Sequence, residues 1–150
     1  MTATYSIRDA WMQDIDTLVA FTLREAHEAE NLDADEAAVR RGVAAAFDKP
    51  LAAYWVAECA GQVVASVSVV KEWSNFRAGW YWWIQSLFIL PEHRGSGLVE
   101  LLIGHVARAA QAAGALDLRL YAHTSNERAL RAYIRCGFRR SPYMLMTRPL

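Results

Sequence analysis

Residues 80–100 read WYWWIQSLFILPEHRGSGLVE, and the fold turns on them. Trp80 to Leu90 is a long, aromatic-rich apolar run of the kind that forms a buried strand, and Pro91 ends it. Leu98 to Ala113 reads as an amphipathic helix, with Leu98, Leu101, Leu102, Val106 and Ala109 on one stripe and Gly114 as its stop. Between them lies Arg94-Gly95-Ser96-Gly97-Leu98-Val99. A glycine-rich turn that opens a helix leaves the first backbone N–H groups unpaired and pointing outward. With the partial positive charge of a helix start, that is a seat for phosphate oxygens.

The elements on either side complete a mixed pattern. Tyr5 to Arg8 predicts a first strand, and Asp14 to Glu30 a helix with Ile15, Leu18, Val19, Thr22, Leu23 and Ala26 on one face. Asp33 to Phe47 predicts a second helix, its acidic start suited to the dipole. Ala53–Cys59 and Gln62–Lys71, joined at Ala60-Gly61, form a hairpin signal, and Trp73 to Gly79 reads as a polar connection. Beyond the third helix come a strand at Leu116–Ala122 and a short helix at Asn126–Cys136. Two closing strands are expected at Phe138–Arg140 and Tyr143–Thr147. The order β-α-α-β-β-β-α-β-α-β-β predicts an α/β (α+β mixed) sheet with helices on its faces. Trp80–Leu90, the third helix and Leu116–Ala122 form a βαβ unit, so those two strands should run parallel.

Composition narrows the classes. A chain of 150 residues, 54% hydrophobic and 21% charged, suits one globular domain over residues 1–150. No apolar run reaches the roughly 18 residues that span a bilayer, and no signal peptide opens the chain, so a cytoplasmic location and no membrane association are expected. Cys59 and Cys136 have no metal spacing and read as buried thiols; His27, His93, His105 and His123 show no ligand spacing, so no metal is expected. Residues 1–90 carry seven Lys/Arg against twelve Asp/Glu, whereas residues 91–150 carry nine against four. A basic C-terminal part suits an anionic ligand, and an acidic N-terminal part a cationic one. Arg128, Arg131 and Arg135 share a helix face but have no aromatic platform or groove-reading motif, so no nucleic-acid partner is expected.

The glycine turn has rivals. A P-loop needs Gly-Lys-Ser/Thr at its end, which is missing. A dinucleotide fingerprint needs a third glycine and an acid about 20 residues on; Val99 takes the small position and Asp117 opens a strand rather than ending one. The segment after the second parallel strand decides among them. Arg94-Gly-Ser-Gly97-Leu-Val99 together with Asn126, Ala129, Tyr133, Gly137 and Phe138 resembles the GNAT superfamily of acyl-CoA N-acyltransferases, whose phosphate motif is Gln/Arg-x-x-Gly-x-Gly/Ala and whose later motif is Asn-x-x-Ala-x-x-x-Tyr-x-x-x-Gly-Phe.

The resemblance implies a GNAT-like fold in which the strands Trp80–Leu90 and Leu116–Ala122 splay apart around acetyl-CoA. Backbone N–H groups of Gly95, Ser96, Gly97, Leu98 and Val99 would cradle the pyrophosphate, with Arg94 beside them. Leu87, Phe88 and Ile89 would border the pantetheine arm, which completes the free strand edge. The N–H of Leu87 would face the thioester carbonyl, and Tyr133 would be the general acid, a phenol protonated at neutral pH. Asn126 would cap the last helix, contact the arm, or do both.

Two departures follow from the same resemblance. Val99 is larger than the usual glycine or alanine; with Gly95 and Gly97 kept, its side chain is expected to point away from the phosphates. Where some members carry a glutamate four residues before the oxyanion donor, this chain has Trp83. Glu72, Gln85 and His123 are therefore the candidates on the acceptor side, with Trp83 as a wall. Strand alternation would put Tyr81, Trp83, Gln85 and Leu87 on one face and Trp80, Trp82, Ile84 and Ser86 on the other. The expected activity is transfer of an acetyl group to the amine of a small molecule or peptide. A non-catalytic acyl-CoA-binding sensor or scaffold is the alternative, and the closing strands or the tryptophan-rich run could form a homodimer face.

Overall fold

The computed structural model describes residues 2–150. The elements run β1 (Ser6–Asp9), α1 (Ile15–Glu30), α2 (Glu36–Asp48), β2 (Ala53–Cys59), β3 (Gln62–Ser74), β4 (Gly79–Ile89), α3 (Leu98–Ala112), β5 (Asp117–Leu120) and α4 (Glu127–Arg135). One sheet carries the five strands in the order β1-β2-β3-β4-β5. The first four are antiparallel neighbours, and β5 joins β4 in parallel, as a βαβ crossover requires.

Local chemistry explains the turns. Ala60 and Gly61 both have positive φ, the conformation a two-residue hairpin loop needs between β2 and β3. The segment read as a polar connection keeps only a four-residue turn at 75–78, because β3 and β4 extend on either side of it to pair Ser74 with Gly79. Asp35 caps α2 by accepting from the Ala37 N–H, which starts that helix later than the acidic run alone suggested.

Two helical layers sandwich the sheet. On one face α3 lays Leu98, Leu102, Ile103 and Val106 over Trp55, Val67, Trp82 and Ile84. On the other, α1 and α2 bring Leu18, Val19 and Val43 onto Val56. Beside that layer, buried Asp14 holds Arg8 at 2.8 Å, and Arg8 also reaches Glu58.

A β-bulge redirects β4. Ser68 pairs with Ser86, but the next residue, Val69, pairs with Ile84, so Gln85 is an extra residue without a partner. The bulge reverses the facing of everything after it. Trp82 and Ile84 lie under α3 before the bulge, and Leu87 and Ile89 pack on that same core after it. Phe88 instead meets Phe21 of α1, ring centroids 4.9 Å apart. The simple alternation expected along this strand is therefore wrong beyond Gln85: Leu87 does not share a face with Trp83, and Ser86 does not share one with Trp82.

The two closing strands are not formed. Phe138 N–H donates to the Tyr133 carbonyl and Gly137 has a φ of +91°, so Phe138 ends α4 as a capping contact rather than beginning a strand. Tyr143 to Met146 lie exposed outside any element. A strand needs a ladder partner for its backbone groups, the sheet ends at β5, and Pro142 lacks a donor.

Candidate active site

The parallel ladder between β4 and β5 is short. It runs from Tyr81↔Asp117 to Ile84↔Leu120 and stops. From Gln85 to Ile89 the β4 edge on that side has no strand beside it, because β5 ends while β4, bent at its bulge, continues. This is the splay expected of the two strands. The N–H of Leu87 is in the open edge, and its partner is a side chain: it donates to Glu25 Oε1 of α1 at 3.2 Å.

At the end of β4 the chain turns through Pro91–His93 into the glycine loop. Gly95 and Gly97 have φ of +74° and +83°, a left-handed conformation that glycine adopts without strain. A Cβ built on either would meet no atom within 4 Å, so the loop faces open space. Gly97 is the N-cap of α3 and offers no side-chain cap, leaving the first-turn N–H groups free of one. Open space, uncapped donors and the helix dipole suit a diphosphate. Val99 is half-buried and packs on the α3-side core.

Sequence comparison agrees with this geometry: the profile of the acetyltransferase (GNAT) family matches residues 12–138. The chain belongs to that family. It is an acyl-CoA-dependent acetyltransferase. The aminoalkylphosphonate N-acetyltransferase of Salmonella typhimurium is 29% identical over 137 residues, covering 91% of this chain and 86% of that protein. A possible acetyltransferase from Clostridium difficile superposes with a TM-score of 0.89 at 28% identity over 97% of each chain. A predicted acetyltransferase from Clostridium acetobutylicum, solved with acetyl-CoA, gives 0.81 at 19% identity, covering 97% of this chain and 96% of that one.

In this acetyltransferase the open edge gathers two titratable groups. Burial pushes the Glu25 carboxyl up to about 7; the Leu87 N–H opposes that shift and the neighbouring charge of Glu30 adds to it. Burial likewise pushes the Tyr133 phenol up to about 12, reinforced by the negative charge of Glu25 and by Cys136. The hydroxyl therefore keeps its proton throughout the neutral range. Tyr133 is set by α4, packed on the α3-side core and edge-on to Phe138 at 6.1 Å. Asn126 begins that helix by accepting from the Ala129 N–H at 3.2 Å, which is the capping role.

Other expected residues have different partners. Arg94 turns back from the loop: its Nε–H donates to the Ile89 carbonyl at 2.8 Å and its guanidinium pairs with Glu28 at 2.6 Å, tying the loop to β4 and α1. Ser96 donates to the His93 carbonyl and accepts from Tyr5, an inner brace for the turn. Gln85 lies in the same cavity lining as Glu25. Trp83 donates from its indole N–H to Glu72 at 3.2 Å and faces Tyr121, so these two form a cluster of their own further along the sheet. His123 is exposed and bonded to Ser125 in the turn after β5. Neither Glu72, Trp83 nor His123 lines the cavity that holds Glu25.

Glu25 is the residue the sequence reading missed. A signal was present: it stands seven residues after Leu18 and three after Thr22, so an acid falls within the sheet-facing stripe of α1. Tyr5, whose hydroxyl reaches both His93 and Ser96, was missed as well and carries no sequence signal.

Proposed function

We propose that this enzyme transfers the acetyl group of acetyl-CoA to the amine of a small molecule by direct attack on the thioester. The observation that carries the reading is the Leu87 N–H, which lies in an open strand edge and donates to the Glu25 carboxylate instead of to a neighbouring strand. The amine named in the Salmonella relative's substrate class supports an amine acceptor here too.

Bound acetyl-CoA supplies an activated acyl carbon; the residues of this chain do the rest. The backbone from Gly95 to Val99 grips the diphosphate, and the free edge from Leu87 to Ile89 aligns the pantetheine arm. The Leu87 N–H releases Glu25 and turns to the thioester oxygen, where one such donor is worth about 3–4 kcal/mol of barrier. Glu25, freed beside the acceptor, takes a proton from the amine nitrogen as that nitrogen bonds to the acyl carbon. Tyr133 gives its proton to the sulfur as the carbon–sulfur bond breaks, and regains one from solvent. The products are the acetylated amine and free CoA thiol, with the proton lost by the amine balancing the one gained by sulfur.

Thiol release from acetyl-CoA with a panel of primary amines tests this reading. Tyr133→Phe should lower kcat by about 10²–10⁴-fold while the acetyl-CoA Kd stays within about twofold of the parent, since the phenol donates only as sulfur leaves. Tight acetyl-CoA binding without thiol release for any amine would instead establish the non-catalytic binding module.

A further inference from the structure

Two cavities meet beside Glu25, and their linings differ in kind. One, of about 230 Å³, is walled by Glu25, Glu30, Ser68 and Ser86. The other, of about 370 Å³, lies between α1, α2 and the sheet and is walled by Val39, Val43, Ala46, Leu51 and Val70. They share Thr22, Tyr54 and Gln85, so one continuous surface leads from the carboxylates to the apolar chamber. Among the described residues no lysine or arginine lines either cavity. Of the cations on α1 and α2, Arg40 pairs with Asp16 and Arg24 with Glu28, while Arg41 is exposed, makes no ion pair among the described residues and lines neither cavity.

We infer that the acceptor is a small primary amine with an apolar, uncharged body, its nitrogen at Glu25 and its carbon skeleton in the chamber under α2. The inference rests on the transfer reaction proposed above and adds the class of substrate. The two carboxylates attract an ammonium and repel an anion. A phosphonate or carboxylate on the acceptor would meet Glu25 and Glu30 or apolar wall, with no cation in the lining to offset the contact. The apolar walls reward hydrocarbon instead, and the volumes match a small molecule.

Steady-state kinetics at saturating acetyl-CoA with propylamine, butylamine, pentylamine, hexylamine and 2-aminoethylphosphonate give the test. Over the alkyl series kcat/KM should rise roughly fourfold per methylene until the chamber is full. 2-Aminoethylphosphonate should fall at least about tenfold below butylamine, the cost of an unpaired anion set against carboxylates and apolar wall. Ala46→Phe, which fills the chamber, should raise KM for hexylamine about tenfold or more, and by a larger factor than for propylamine. As a readout apart from turnover, hexylamine should raise the Tm of the protein with CoA, and 2-aminoethylphosphonate should not. A flat alkyl series, or preference for the phosphonate, overturns the inference while leaving the transfer reaction standing. Absence of thiol release with every amine, with acetyl-CoA bound, removes the reaction and this inference together.

Discussion

Near pH 7 the Glu25 carboxyl is divided between its protonated and ionised forms, because burial pushes it up to about 7 from 4.5. The Leu87 N–H is the one favourable contact that opposes that rise. Handing this donor to the thioester removes the opposition, so Glu25 becomes more basic when acetyl-CoA binds. Binding near neutral pH should therefore take up protons, seen as a dependence of the calorimetric enthalpy on the ionisation enthalpy of the buffer. Glu25→Gln should abolish the uptake and lower kcat, yet bind acetyl-CoA as tightly as the parent or more tightly, since glutamine is a weaker competitor for the Leu87 N–H. Unchanged proton uptake in that variant would show that another group is responsible. The same residue shows where reading a sequence runs out. An acid on the stripe of α1 is visible in the chain, but its contact with Leu87 spans 62 positions and exists only once α1 lies across β4.

Two elements carry the site, and each has a residue that can be tested alone. Gly97 sits at a φ of +83° with open space where a Cβ would be. Gly97→Ala should cost about 1–2 kcal/mol of stability from the left-handed backbone. It should also weaken acetyl-CoA by a larger factor than the stability loss explains, because the methyl occupies the mouth of the phosphate loop; calorimetry and thermal melts separate the two effects. Asn126→Ala should cost about 1 kcal/mol by uncapping α4, and it should lower kcat more than it weakens acetyl-CoA, since that helix sets Tyr133. A melt unchanged from the parent would deny the capping bond any energetic role. The helices and hairpin were legible because periodicity, caps and turn residues act within a few positions. The bulge at Gln85 was not, since an unpaired residue is defined only against its neighbouring strand. For the same reason Tyr143–Met146 has strand-like composition yet forms no strand.

Across the whole molecule, two carboxyls set opposing pH limits on stability. Asp14, hydrogen-bonded to Arg8 and to the Trp11 N–H, is held below its ordinary 3.8, so its contribution is present above that value and lost as acid protonates it. Glu25 is raised, so its contribution is present below 4.5 and is lost as pH climbs through about 7. Tm should accordingly be highest in mildly acidic solution and fall on both sides. Glu25→Gln should flatten the fall between pH 5 and 8, and Asp14→Asn should lower Tm while flattening the acid limb; a wild-type curve level from pH 5 to 8 would count against the raised carboxyl. By itself the chain specified the element order, the parallel βαβ unit, the glycine loop and the tyrosine of α4, since each is written in neighbouring residues. Only the tertiary structure decided how far β4 and β5 stay paired, which side Leu87 faces and which acid stands at its N–H. Those depend on where separate segments come to rest against one another, and backbone pairing and burial act across any distance along the chain.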